Sequence, residues 1–236
     1  MLRNMLASLR FSKKEFNRLL LMALVLGFSL GMNDGRETVE IDDYWIANFF
    51  ASFLSAIIIC FAFVAVGKLV AGYYGYNATH QWNPVTLLFT VTLAFITYGY
   101  LLFFIPGSMA IEMNKHKRLG KFRYGPNVAD KAVVNLLAVL GMIAVAFVAI
   151  PFREGILGNN LFYLALLLAM YAMLPIPKSN AGLSVMHFSP KFFIFSILFV
   201  FFLCIGLFMF NTFAGVLVSA IGGVAFYFYI LSKGKL

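Results

Sequence analysis

The sequence predicts an all-α polytopic membrane protein: six transmembrane helices, with a re-entrant or β-containing membrane-dipping segment between the second and third. Three observations predict it. Hydrophobic residues make up 62% of the 236 and charged residues only 11%, against about 25% charged in a soluble domain. Apolar runs of bilayer length recur along the chain. The basic residues behind the net charge of +9 cluster at the ends of those runs, as Arg3, Arg10, Lys13, Lys14 and Arg18 and again over 115–131. That pattern belongs to flanks of membrane helices, so the charge points to the lipid bilayer as partner and not to nucleic acid.

Residues 1–18 form a basic cytoplasmic or interfacial N-terminus, with Leu2, Leu6, Leu9 and Phe16 spaced for a short amphipathic helix. The first span, 19–32, follows a basic region as a signal peptide does but has no small-x-small cleavage site, so it reads as a retained anchor. The next spans are 45–67, 132–152, 161–177, 192–210 and 213–231, all within one transmembrane domain, 19–236. Cys60 and Cys204 fall inside apolar runs, where a thiol acts as a small hydrophobe.

The run 85–105 is the exception. With the N-terminus in the cytoplasm, Asp34, Glu37, Glu40, Asp42 and Asp43 lie outside and Lys68 returns inside. A full crossing by 85–105 would then put the basic loop with Lys115, Lys117, Arg118, Lys121 and Arg123 on the wrong side. A segment that dips in and returns removes the conflict, and its threonines and the Pro106-Gly107 breaker suit broken helix or short strands. Both termini then lie in the cytoplasm, at the plasma membrane. A full seventh span that violates the charge bias is the alternative.

Ionisable side chains inside spans mark catalytic or transport sites, and the spans as drawn contain none. All nine acidic residues and His80, His116 and His187 are expected in tails or loops. HExxH, GxSxG and CxxC are absent. What remains is Asn135, able to bond across helices, and Asn180 after the break at Pro175 and Pro177. The sequon at Asn77 falls on the cytoplasmic side of this topology and is read as chance. The 28 Phe and 11 Tyr form lipid-facing and packing surface, with a lateral contact surface for another membrane protein as the functional alternative.

Several pieces follow one another in a recognisable order. Lys68-Leu69-Val70-Ala71 leads to a turn at Tyr74-Gly75-Tyr76; Pro106-Gly107-Ser108-Met109 follows the dipping segment; Asn135 lies near a helix start; and Met173-Leu174-Pro175-Ile176-Pro177-Lys178-Ser179-Asn180-Ala181-Gly182 closes the set. Over 45–182 this resembles the site-2 protease family of intramembrane zinc metalloproteases, in particular its small archaeal-type members, with 192–231 an added helix pair. The resemblance implies a family core that admits a transmembrane helix and unwinds it beside a short strand. It also places Phe63 and Gly67 where the family has its zinc histidines, Val64 at the general base and Asn180 at the third ligand. Lys131-Ala132 or Ala132-Val133 stands where Gly-Pro would precede Asn135.

Zinc hydrolysis needs about three protein ligands, an open water position and a base, so the resemblance implies a pseudoprotease with no metal or cofactor. It would bind, hold or assemble another transmembrane protein through Pro106, Gly107, Asn135, Pro175, Pro177 and Asn180. One alternative is a metalloprotease with relocated ligands at His80, Glu112 and His116. Another is a subunit of a transporter or larger membrane complex, for which no internal repeat is visible.

Overall fold

The computed structural model describes residues 8–33, 35–36, 41–113, 125–176, 180–210 and 213–232. Helix α1 (Lys13–Gly31) opens on a serine N-cap, Ser12 Oγ accepting from the Glu15 N–H at 3.1 Å. Helix α2 (Asp43–Tyr73) is capped by Asp42, which accepts from Trp45 N–H and is gripped by both guanidinium nitrogens of Arg36 at 2.6 and 2.8 Å. Its 31 residues extend about 46 Å, well beyond a hydrocarbon core of about 30 Å. The helix stops at Tyr74 and Gly75, the latter at φ +79°, as the Tyr-Gly turn in the sequence suggests.

The chain then enters strand β1 (Tyr76–Gln81), which pairs antiparallel with β2 (Ser108–Met113), Tyr76 opposite Met113 and His80 opposite Met109. Between them, α3 (Pro84–Thr97) begins with an Asn83 cap and Pro84 at N1 and ends at Tyr98 and Gly99, both left-handed at φ 51° and 77°. Fourteen residues reach about 21 Å, too short to span. Since the strands at its two ends are bonded neighbours, segment 82–107 leaves the sheet and returns to it. The segment is thus closed at its base by the sheet, and the strands flank 85–105 instead of lying within it as expected.

After the sheet come α4 (Val128–Ala149), a 3-10 turn (Ile150–Phe152), α5 (Ile156–Met173), short α6 (Ala181–Phe188), α7 (Pro190–Phe210) and α8 (Phe213–Ser232). Helices α2, α4 and α5 pack on one another around Ile59, Phe63, Met142, Phe162 and Leu168. Helix α1 lies along α2, α6 along α4, and α7 and α8 pair on the outside. Gly141 allows α4 to approach Val66 closely, as small residues do between membrane helices.

Among the described residues, four helices are long and apolar enough to cross a membrane: Asp43–Tyr73, Val128–Phe152 with its 3-10 extension, Ile156–Met173 and Pro190–Phe210. Several expected boundaries change: the helix expected over 161–177 runs Ile156–Met173 and stops before Pro175, and the one expected from 132 starts at Val128 and takes in Asp130 and Lys131. Helix α1 begins at Lys13, ahead of the run at 19, and so takes in Lys14, Glu15 and Arg18; α2 runs past Gly67 and carries Lys68 inside it. For α1 and α2 the cause is one interaction, a buried ion pair between Glu15 and Lys68 that lets both charges stay in helix. Glu15 is therefore not a tail residue, as the sequence suggested. Leu2, Leu6, Asp34, Glu37 and Glu40 lie outside the described residues.

Candidate functional site

Three elements meet under the sheet. Helix α2 contributes Phe63, Val64 and Gly67, all buried. At Gly67 an added Cβ would lie 2.7 Å from Met109 Cγ, so the missing side chain is what lets strand β2 rest on the helix. Met109 is fully buried and is held from the other side by α4: Asn135 Oδ1 accepts from its N–H at 2.8 Å, and Asn135 Nδ2 donates to its carbonyl at 3.1 Å and to Lys131 O at 2.9 Å. Both backbone groups of Met109 thus point away from β1, and the ladder bonds fall to its neighbours.

Strand β1 is fixed at its outer edge in the same manner. The His80 N–H donates to Glu15 Oε1 at 3.0 Å, while Glu15 Oε2 pairs with Lys68 Nζ at 2.7 Å and Lys68 also donates to Arg10 O at 2.9 Å. Lys68 also lies over the Phe11 ring, 4.8 Å from its centroid. One carboxylate joins α1, α2 and the sheet, and each oxygen has a partner, which is what a buried charge needs.

The His80 ring stands edge-on to Phe63, centroids 6.0 Å apart, and its Nε2 is 2.8 Å from the Pro106 carbonyl. That oxygen can only accept, so Nε2 carries the proton and Nδ1 is a bare acceptor, buried without a partner among the described residues. Burial above all pushes the imidazole pKa down to about 4. His80 is neutral at physiological pH and latches the returning end of the dip. Gly107, at φ +93°, follows immediately, and a Cβ there would strike the Gln81 carbonyl. The Pro106-Gly107 element is therefore pressed against β1.

Asn180 has a different role. Its Oδ1 accepts from Ala181 N–H at 2.8 Å as the cap of α6, and its Nδ2 donates to the Tyr171 and Leu174 carbonyls at the break before Pro175, each of which also accepts a backbone N–H. The whole amide is used in closing that break. Helix α6 also touches β2.

The structure thus joins Phe63, Gly67, Asn135, Pro106 and Gly107 through the two strands, and it keeps Asn180 and Pro175 at the α5–α6 break; Pro177 lies outside the described residues. Of the relocated-ligand set, His80 and Glu112 face opposite sides of the sheet, since Glu112 pairs with Asn77 and not with His80. Glu112 is exposed, His80 is buried in a strand instead of lying in a loop, and His116 lies outside the described residues. Among the described residues, no three His, Cys, Asp or Glu side chains are grouped to hold a metal ion.

Sequence reasoning missed Glu15, Lys68 and Met109 as members of this junction. The Ser12-to-Glu15 spacing was a visible signal for the start of α1, but nothing in the sequence marks the partner of Glu15, which lies 53 positions away. Comparison with family models, curated proteins and solved structures finds no match to this chain.

Proposed function

We propose that this chain is a non-catalytic, site-2 protease-like membrane protein that binds and holds a transmembrane segment of another protein. The single observation carrying the proposal is the junction of Gly67, Met109 and Asn135. Helix, strand and Asn135 meet at the positions where the resemblance puts the two zinc histidines, and a thioether side chain and a phenyl ring fill that place. Neither Met109 nor Phe63 can ionise or activate water, so the junction orders a strand and supplies no base.

The strand so ordered is what a binding function requires. Beyond Met109, the same edge of β2 continues to Ile111 and Met113, whose backbone groups by alternation point the same way. A partner helix that unwinds beside this edge would gain main-chain hydrogen bonds that lipid cannot provide.

In this reading the sheet end is cytoplasmic. Arg10, Lys13, Lys14, Arg18, Lys131 and Lys191 gather there, whereas the opposite end, with Asp42, Asp43 and Glu154, has Arg36 and Arg153. Six crossings, with α1 and α8 added to the four long apolar helices, return both termini to the cytoplasmic side of the plasma membrane.

The test is photo-crosslinking in the membrane from a reactive residue at Glu112 or Met113, read by mass spectrometry, together with zinc analysis of the purified protein. Adducts to a transmembrane segment and absence of stoichiometric zinc are the expected results. Stoichiometric zinc with cleavage of a synthetic transmembrane peptide would overturn the proposal.

A further inference from the structure

A recess of about 650 Å³ opens at the sheet end, between the first turns of α1 and the last residues of β1. Lys14 and Arg18, one helical turn apart, form one wall; Gln81 and Trp82 form the other, with the Arg18 guanidinium 5.8 Å from the Trp82 ring centroid. Glu15 and His80 reach its floor. The negative charge there is already taken, since Glu15 bonds Lys68 at 2.7 Å and the His80 N–H at 3.0 Å.

Among the described residues no carboxylate pairs with Lys14 or Arg18. The recess therefore holds two cations that no described carboxylate neutralises, beside the positive end of the α1 dipole. A volume of this size suits a small polar ligand. Trp82 beside a cation at the foot of a membrane helix is the side-chain pairing found at the headgroup level of a bilayer.

We propose that this recess binds a phosphate ester, with Lys14 and Arg18 as the charge partners, Gln81 as an uncharged donor and Trp82 as the wall that orients Arg18. The ester can be presented by an anionic lipid headgroup or by a soluble phosphate, and the chemistry at the site is the same. The recess shares Glu15 and His80 with the junction described above, but its charge partners Lys14 and Arg18 take no part in holding Met109, so loss of binding in their variants is distinguishable from failure of the proposed partner binding.

The test uses the full chain in neutral-lipid nanodiscs, titrated in parallel with short-chain phosphatidylglycerol, short-chain phosphatidylcholine and inorganic phosphate. Saturable binding of phosphatidylglycerol but not phosphatidylcholine supports the site and identifies a lipid source. Saturable binding of inorganic phosphate that competes with it supports the site and identifies a soluble one. The K14Q/R18Q variant is expected to weaken binding by on the order of 30-fold, from about fivefold per cation. Lys13→Gln, in the same turn but outside the recess, is expected to leave it nearly unchanged. Equal effects of K13Q and K14Q would mean diffuse surface charge and overturn the site, as would equal binding of the two lipids with no binding of phosphate. Thermal unfolding of each variant separates lost binding from lost folding.

Discussion

Asn135 holds Met109 by both of its backbone groups, accepting from the N–H at 2.8 Å and donating to the carbonyl at 3.1 Å. A side-chain amide carries a donor and an acceptor side by side without charge, so it completes a strand edge that would otherwise be unpaired and buried. Asn135→Ala leaves a donor and an acceptor without partners. The expected loss is about 2–4 kcal/mol, read as a fall in thermal midpoint. Hydrogen exchange of the Met109 amide should also quicken far more than that of neighbours in the ladder. Unchanged protection at Met109 would show that the clamp does not hold the strand.

The ion pair of Glu15 and Lys68 predicts a non-additive cycle. Removing one partner, as in Lys68→Met, strands the other charge in a buried setting and is expected to destabilise by about 3–5 kcal/mol. Glu15→Gln should do the same for Lys68 and loosen β1 as well, because the carboxylate also holds the His80 N–H. The double variant is expected to recover much of the loss, since no bare charge remains. Additive single and double effects in denaturation would mean that the two residues do not depend on each other.

How far the sequence foretells this arrangement depends on the range of each interaction. Helices α2, α4, α5 and α7 follow from local hydropathy, because the solvent they need is lipid and each segment meets that condition by itself. The return of 82–107 follows from charge bias plus the breaker at Pro106-Gly107. The threonines suggest strands within 85–105, but the two that form lie outside it, each only six residues and stabilised by pairing with the other. Lys68 looked like a helix end because its neutralising partner lies on another helix. Asn180 stood out as a degenerate ligand, and its local work as a cap that closes the proline break was hidden by that resemblance.

His80 gives stability a pH dependence of defined sign. Burial lowers its pKa to about 4 from 6.5; the Pro106 hydrogen bond and Glu15 oppose the shift, and Arg18 and Lys68 add to it. Above about 6.5 the contribution is complete. Between 6.5 and about 4 the unfolded chain takes up a proton that the folded chain refuses, so stability falls by about 1.4 kcal/mol per unit at most and then levels off. His80→Gln keeps a donor for the Pro106 carbonyl and cannot titrate. Its thermal midpoint, measured from pH 7.5 to 4.5, should fall less steeply than that of the parent chain; parallel curves would assign the acid sensitivity to other groups.

Gly67 and Gly107 are both closely packed, but against different kinds of atom, and that difference sets their tolerance. A Cβ at Gly67 meets the Met109 side chain, 2.7 Å from Cγ, and a thioether chain can turn aside. A Cβ at Gly107 meets the Gln81 carbonyl, which is backbone, at a φ of +93° that side chains rarely adopt. Gly67→Ala is therefore expected to cost about 1–3 kcal/mol as overpacking, and Gly107→Ala more, through displacement of β1. The pair Gly67→Ala with Met109→Ala supplies the decisive comparison. Met109→Ala alone opens a cavity costing about 2–5 kcal/mol, and the alanine methyl at position 67 then enters space the methionine has vacated. The double variant should lose less than the sum of the singles, by about 0.5–3 kcal/mol. Strict additivity in chemical or thermal unfolding would place the two residues out of contact and remove the helix-to-strand junction on which the binding proposal rests.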